Sequence, residues 1–204
     1  MQNKTYALLA SILLMVFLAP SSSIAQNTSR KMGNRGQNQQ NSPMKEFVQK
    51  QRAKGQEYQD QEEKEAQEFT QTMQGKKKDE FLQALKGFKA NQYEKNTAFR
   101  EKLFQEGKEF VNNLPQLSGE MGAKRKEKIL ARMEKDFSEM KPFFLKKHEE
   151  NMAFIDKCTL DSKLEGPALY KALEEFMKAQ KASAQEFMEK HRQEAQKNSQ
   201  SPAQ

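Results

Sequence analysis

The sequence predicts an all-α protein: a long N-terminal helix, then an antiparallel helical hairpin, elongated and coiled-coil-like, between a disordered arm and a disordered tail. Three observations carry this reading. Leu130, Met133, Phe137, Met140 and Phe144 recur at alternating three- and four-residue steps, which return side chains to one face of an α-helix. Leu169, Leu173, Phe176, Gln180, Ala184, Phe187 and His191 repeat the spacing. The composition, 35% hydrophobic with no Trp but 14 Phe and 11 Met, cannot fill a large globular interior and suits helices packed along narrow seams.

Residues 1–25 read as a secretory signal. Lys4 supplies the positive start, Ala7 to Leu18 the apolar stretch, and Ser23-Ile24-Ala25 the small-x-small cleavage site. The apolar stretch is shorter than the roughly 20 residues of a comfortable membrane span. No Cys follows the expected cut, which argues against a lipoprotein. The expectation is therefore a periplasmic or secreted product, its formal charge falling from +7 to +6 with the loss of Lys4. Residues 26–43 are Gln, Asn, Ser and Gly with Arg30, Lys31 and Arg35, a basic linker without periodicity that should be disordered.

From Met44 to Leu114 the pattern reads as one long helix. Aromatic residues return every eleven positions at Phe47, Tyr58 and Phe69, and again at Phe88, Phe99 and Phe110. Eleven residues is close to three helical turns. Phe81 breaks the series with a step of twelve, beside Gly75-Lys76-Lys77-Lys78. Residues 45–78 carry so few apolar side chains that a solvent-exposed arm is expected, whereas residues 80–114 should pack on the hairpin. Pro115 ends this helix and 115–122 is the connection. The hairpin spans 123–195, turning near Asp161; Asp161, Ser162 or Gly166-Pro167 can each open its second helix. Pro142 should kink the first. Residues 196–204 form a polar tail.

Enzymatic function is not expected. The sequence holds no Gly-rich phosphate loop, nucleophile elbow or metal-protease motif, and no cofactor is implied. Four groups of residues are candidates for binding. Phe143, Phe144, Leu145, Phe154 and Ile155 widen the apolar stripe beyond what one partner helix covers, and so suggest a client-binding face. Lys124, Arg125, Lys126 and Lys128 oppose the dipole at a helix start and form a basic patch. His148 and Glu149 with Met152 are candidate metal ligands. Cys158, the only cysteine, cannot form an internal disulfide; as a lone thiol it is either buried and inert or a candidate for linking two chains.

Phe144-Leu145-Lys146-Lys147-His148-Glu149-Glu150-Asn151-Met152, the Asp161 turn, the helix from Leu169 to His191 and the signal together resemble the periplasmic Spy/CpxP-like group of heavy-metal sensors and stress chaperones. The likeness covers roughly residues 123–195 and lies in the helical pattern; the group's LTxxQ signature is absent. It implies a helical hairpin that dimerises and binds unfolded clients or metals. The expected partners are unfolded or envelope proteins and a second copy of the chain. The eleven-residue spacing points alternatively to an amphipathic lipid- or envelope-surface-binding protein. Export argues against nucleic acid.

Overall fold

The computed structural model describes residues 43–200. The expected signal and nearly all of the expected linker lie outside them. The described residues form four α-helices and no strand. They are α1 (Pro43–Thr72), α2 (Lys78–Asn112), α3 (Gly119–Leu160) and α4 (Gly166–Gln200), with a 3-10 turn at Pro115–Leu117 before α3. Among the described residues, no helix is long and apolar enough to cross a membrane.

The single helix expected over 44–114 is two helices. Gly75 adopts φ +75, the left-handed region that Gly enters without a Cβ penalty. Lys77 follows in extended backbone at φ −65, ψ 156 and stands at the N-cap of α2. Asp79 and Glu80 in the first turn of α2 complement its dipole. The twelve-residue step between Phe69 and Phe81 therefore spans a break and restart.

The backbone clusters into two units. One comprises 43–68 with 174–200, the other Phe69–Leu173. In the first, α1 is not the bare arm expected from its sparse apolar residues. Glu62 and Ala66, one four-residue step apart, are both buried, so the covered face is built from a charged and a small side chain rather than from large apolar ones. Gln56 donates to Asp60, Gln61 to Glu65 and Gln67 to Glu63 on exposed positions; such i,i+4 pairs each stabilise a helix by about 0.2–0.5 kcal/mol. Met177 and Ala184 of α4 are buried in this unit. The helix reaches Gln200, five residues beyond the end expected at 195.

The second unit is organised around α2 and α3, which run antiparallel. Lys86 meets Asp156 at 2.5 Å near one end and Lys108 meets Glu134 at 2.7 Å near the other. Twenty-two residues forward along α2 thus match twenty-two back along α3. The sequence placed the principal hairpin one helix later, between α3 and α4. In this unit the long pairing of α3 is with α2. α3 continues as one helix through Pro142.

Aliphatic burial concentrates at the ends of this pair. Phe81, Leu82 and Leu85 on α2, Ile155 and Cys158 on α3, and Leu169 and Leu173 at the start of α4 are buried; each fully buried Leu or Ile side chain contributes about 1.5–3 kcal/mol. At the other end Val111, Gly107 and Gly122 are buried. A Cβ on Gly122 would strike the Leu117 backbone, whose carbonyl oxygen would lie at 2.6 Å. The 3-10 turn can fold onto the first turn of α3 only because residue 122 has no side chain.

The α3–α4 turn is tied by Asp161. Its carboxylate accepts from the Lys163 N–H at 2.9 Å and its carbonyl from the Leu164 N–H at 3.1 Å. Of the possible starts for the last helix, the structure uses Gly166-Pro167, with Gly166 at φ +49 and Pro167 in the first turn, where its missing N–H costs nothing.

Candidate binding surface

Between its aliphatic ends the α2–α3 seam is aromatic and only half-buried. Tyr93 stacks on His148, with centroids 4.2 Å apart and planes 17° from parallel. Phe104 stacks on Phe137 at 4.1 Å and 3°. The Arg100 guanidinium lies 3.6 Å from the centre of the Phe144 ring. Phe143 meets Phe144 edge-on at 5.7 Å. All these residues keep part of their surface in solvent.

Cations sit beside the rings in a repeated way. Lys108 lies over Phe104 at 5.4 Å, Lys141 over Phe137 at 4.7 Å and Lys147 over Phe143 at 5.5 Å. Each is a Phe followed four residues later by Lys, the spacing that stacks one side chain above another on a helix. The ammonium groups also find carboxylates: Lys108 meets Glu134, Lys141 meets Glu101 at 3.7 Å, and Lys147 meets Glu150 at 2.9 Å. A cation over an exposed ring is worth about 0.5–1 kcal/mol. These bases therefore shield the rings loosely, and their flexible stems can swing aside.

The residues expected to hold a client are divided by the structure. Phe143, Phe144 and Phe154 are half-buried. Leu145 is 46% exposed. Ile155 is corrected: at 4% exposure it belongs to the core, because it lies one residue from Phe154 and so about 100° around the helix.

The basic patch is also split. Lys124, Arg125 and Lys128 are exposed, and Lys124 pairs with Glu120 at 3.0 Å. Lys126 instead reaches back to the Asn112 carbonyl at 2.9 Å. It thereby satisfies an acceptor at the C-terminal end of α2, where a cation opposes the negative end of the dipole.

Of the three candidate metal ligands, His148 and Met152 lie on one side of α3 and are half-buried, while Glu149 is exposed. Adjacent helical residues diverge by about 100°, so Glu149 points away from the face that His148 shares with Met152. Cys158, near the C-terminal end of α3, is fully buried. Burial pushes its thiol pKa up, against the opposing pull of Lys78 and Lys157, and Asp161 adds to the rise. Linking two chains through this sulfur would require the end of α3 to open first, so the candidate link is corrected in favour of the other reading, a buried thiol.

Sequence reading missed Tyr93, Arg100, Lys108 and Lys141 as members of the aromatic seam. The Phe-to-Lys steps at 104–108, 137–141 and 143–147 were the available signal. Comparison of the chain with protein-family models, with curated proteins and with solved structures finds no match in any of the three.

Proposed function

We propose that this chain is an exported, non-enzymatic helical binding protein that holds unfolded or envelope proteins weakly, in the manner of the Spy/CpxP-like group, and acts as a homodimer in the periplasm or outside the cell. The supporting observation is the half-buried aromatic seam with cations resting on its rings. Apolar rings with movable covers suit loose contact with many sequences better than one exact ligand. Exposed Lys124, Arg125 and Lys128 would add attraction for acidic clients.

The test is suppression of aggregation of a heat-denatured client by the chain from residue 26 onward. Light scattering should fall in proportion to added protein. The double variant Phe143→Ser, Leu145→Ser should suppress less while retaining its helical circular dichroism. No suppression at a tenfold excess over client rejects the proposal. A metal-responsive role, with His148 and Met152 as ligands, requires zinc, copper or nickel to raise the melting temperature and a chelator to reverse it.

A second reading, binding to a lipid or envelope surface, is favoured by one observation. Phe47, Tyr58, Phe69, Phe88, Phe99 and Phe110 are all half-buried, so the eleven-residue series lies along the margins of the packed faces. Anionic vesicles should then raise helicity or shift tyrosine emission; unchanged spectra remove this reading.

A further inference from the structure

We infer that the bond between Lys76 and Lys77 is a limited-proteolysis site for a lysine-directed endoprotease. Cleavage there would sever the covalent link between α1, with all that precedes it, and residues 77–204. Endoproteases need several residues in extended form, and a helix must unwind locally before it fits. Three connections interrupt the described helices, and they differ in what they offer. Residues 113–118 contain no Lys or Arg. Residues 161–165 contain Lys163, but its own N–H is held by the Asp161 carboxylate and the Asp161 carbonyl accepts from both Leu164 and Lys78. The segment after α1 places Gly75, Lys76 and Lys77 in succession at exposed positions.

Its backbone is also the closest to what a protease requires. Gly75 turns through φ +75, and Lys77 is already extended. The Lys76 N–H donates to the Met73 carbonyl over a long 3.3 Å. The Lys76 side chain has a 3.5 Å ion pair with Glu80, both partners about half exposed, which offers little resistance to withdrawal. Lys78 is less suited to the specificity pocket, because its ammonium is engaged by the Asp161 carbonyl at 2.6 Å. The next bond, after Lys77, is less suited because the Lys77 carbonyl accepts from the Phe81 N–H at 2.9 Å. In the reaction water adds across the amide: the Lys76 carbonyl carbon takes the hydroxyl and the Lys77 nitrogen leaves as an amine.

The experiment is a time course of the chain from residue 26 onward with dilute trypsin or a lysine-specific protease, followed by intact mass and N-terminal sequencing. Among bonds of residues 43–200 the first cut should give a product beginning at Lys77, and it should precede cleavage after Lys163 by about tenfold or more in rate. The double variant Lys76→Gln, Lys77→Gln leaves the Lys78 contact in place and should slow the first cut by at least about tenfold without changing the helical spectrum. A first cut after Lys163, in the 124–128 basic run or spread over helical lysines overturns the inference. So does a double variant cut at the rate of the parent.

Discussion

The Lys78 ammonium donates to the Asp161 main-chain carbonyl at 2.6 Å, joining residues eighty-three positions apart. One partner opens α2, and the other is the C-cap of α3. The bond therefore pins the start of one helix to the end of its antiparallel neighbour, beside buried Cys158. It also meets an acceptor that α3 itself leaves over, since the last carbonyls of a helix have no intrahelical donor.

Replacing Lys78 with Met keeps the stem and removes the donor. Hydrogen bonds to charged groups contribute about 1.5–3 kcal/mol when buried, and Lys78 is half-buried, so the expected loss is about 1 kcal/mol. Urea unfolding of the variant measures it. An unchanged midpoint would show that the contact adds nothing to stability.

Gly122 and Gly107 make a paired prediction. Both are buried helical glycines, and Ala is intrinsically the better helix former by about 0.8–1.0 kcal/mol. At Gly122 a methyl meets the Leu117 backbone, which cannot retreat without undoing the 3-10 turn. At Gly107 it meets only the terminal Cε of Met133, at 2.9 Å, and that flexible group can rotate away. Gly122→Ala should destabilise by about 2 kcal/mol, within the usual range for overpacking, while Gly107→Ala should lie between neutral and about 1 kcal/mol stabilising. Thermal melts of the two variants side by side decide the point; equal effects would refute the distinction.

Phe104 and Phe137 test whether the aromatic seam holds the helix pair together. Their near-parallel rings predict a coupling of about 0.5–1.5 kcal/mol beyond the area each buries. A double-mutant cycle with Phe104→Leu and Phe137→Leu should recover a coupling of this size. Additive effects would mean that the rings merely fill space.

The helices were legible in the sequence because their apolar residues keep the helical period, and the all-α class follows from that alone. The break at Gly75 left a trace in the twelve-residue step to Phe81, but Gly within a helical pattern is a weak terminator, and three following lysines are compatible with helix. The buried face of α1 was hidden because Glu62 is charged and Ala66 is too small to mark a packed stripe. The pairing of α2 with α3 was hidden for a different reason. A short connection implies antiparallel neighbours, and 161–165 is as short as 113–118, so connection length gave no preference between the two hairpins. At the candidate surface, Phe143 and Phe144 were found from their apolarity. Arg100 over Phe144 was not, because a contact between helices depends on register, which no local pattern states.

Cys158 provides a pH-dependent prediction whose sign can be worked out. Burial holds the proton on the sulfur, so the folded pKa lies above the ordinary thiol value of 9.0. The folded state thus binds this proton more tightly than the unfolded chain does. The stability linked to that preference is fully present below about pH 9, and it is lost as the pH rises through the folded value. Lysines and tyrosines also titrate in this range, so the measurement is a difference. The unfolding free energy of the parent should fall more steeply above about pH 9 than that of Cys158→Ala, which carries no thiol. The same burial predicts that a thiol reagent labels the native protein far more slowly than the urea-unfolded chain at pH 8, because the reagent attacks thiolate and needs access to it. Matching pH slopes in parent and variant, together with native labelling as fast as in urea, would show the sulfur to be open to solvent and would restore it as a link between chains.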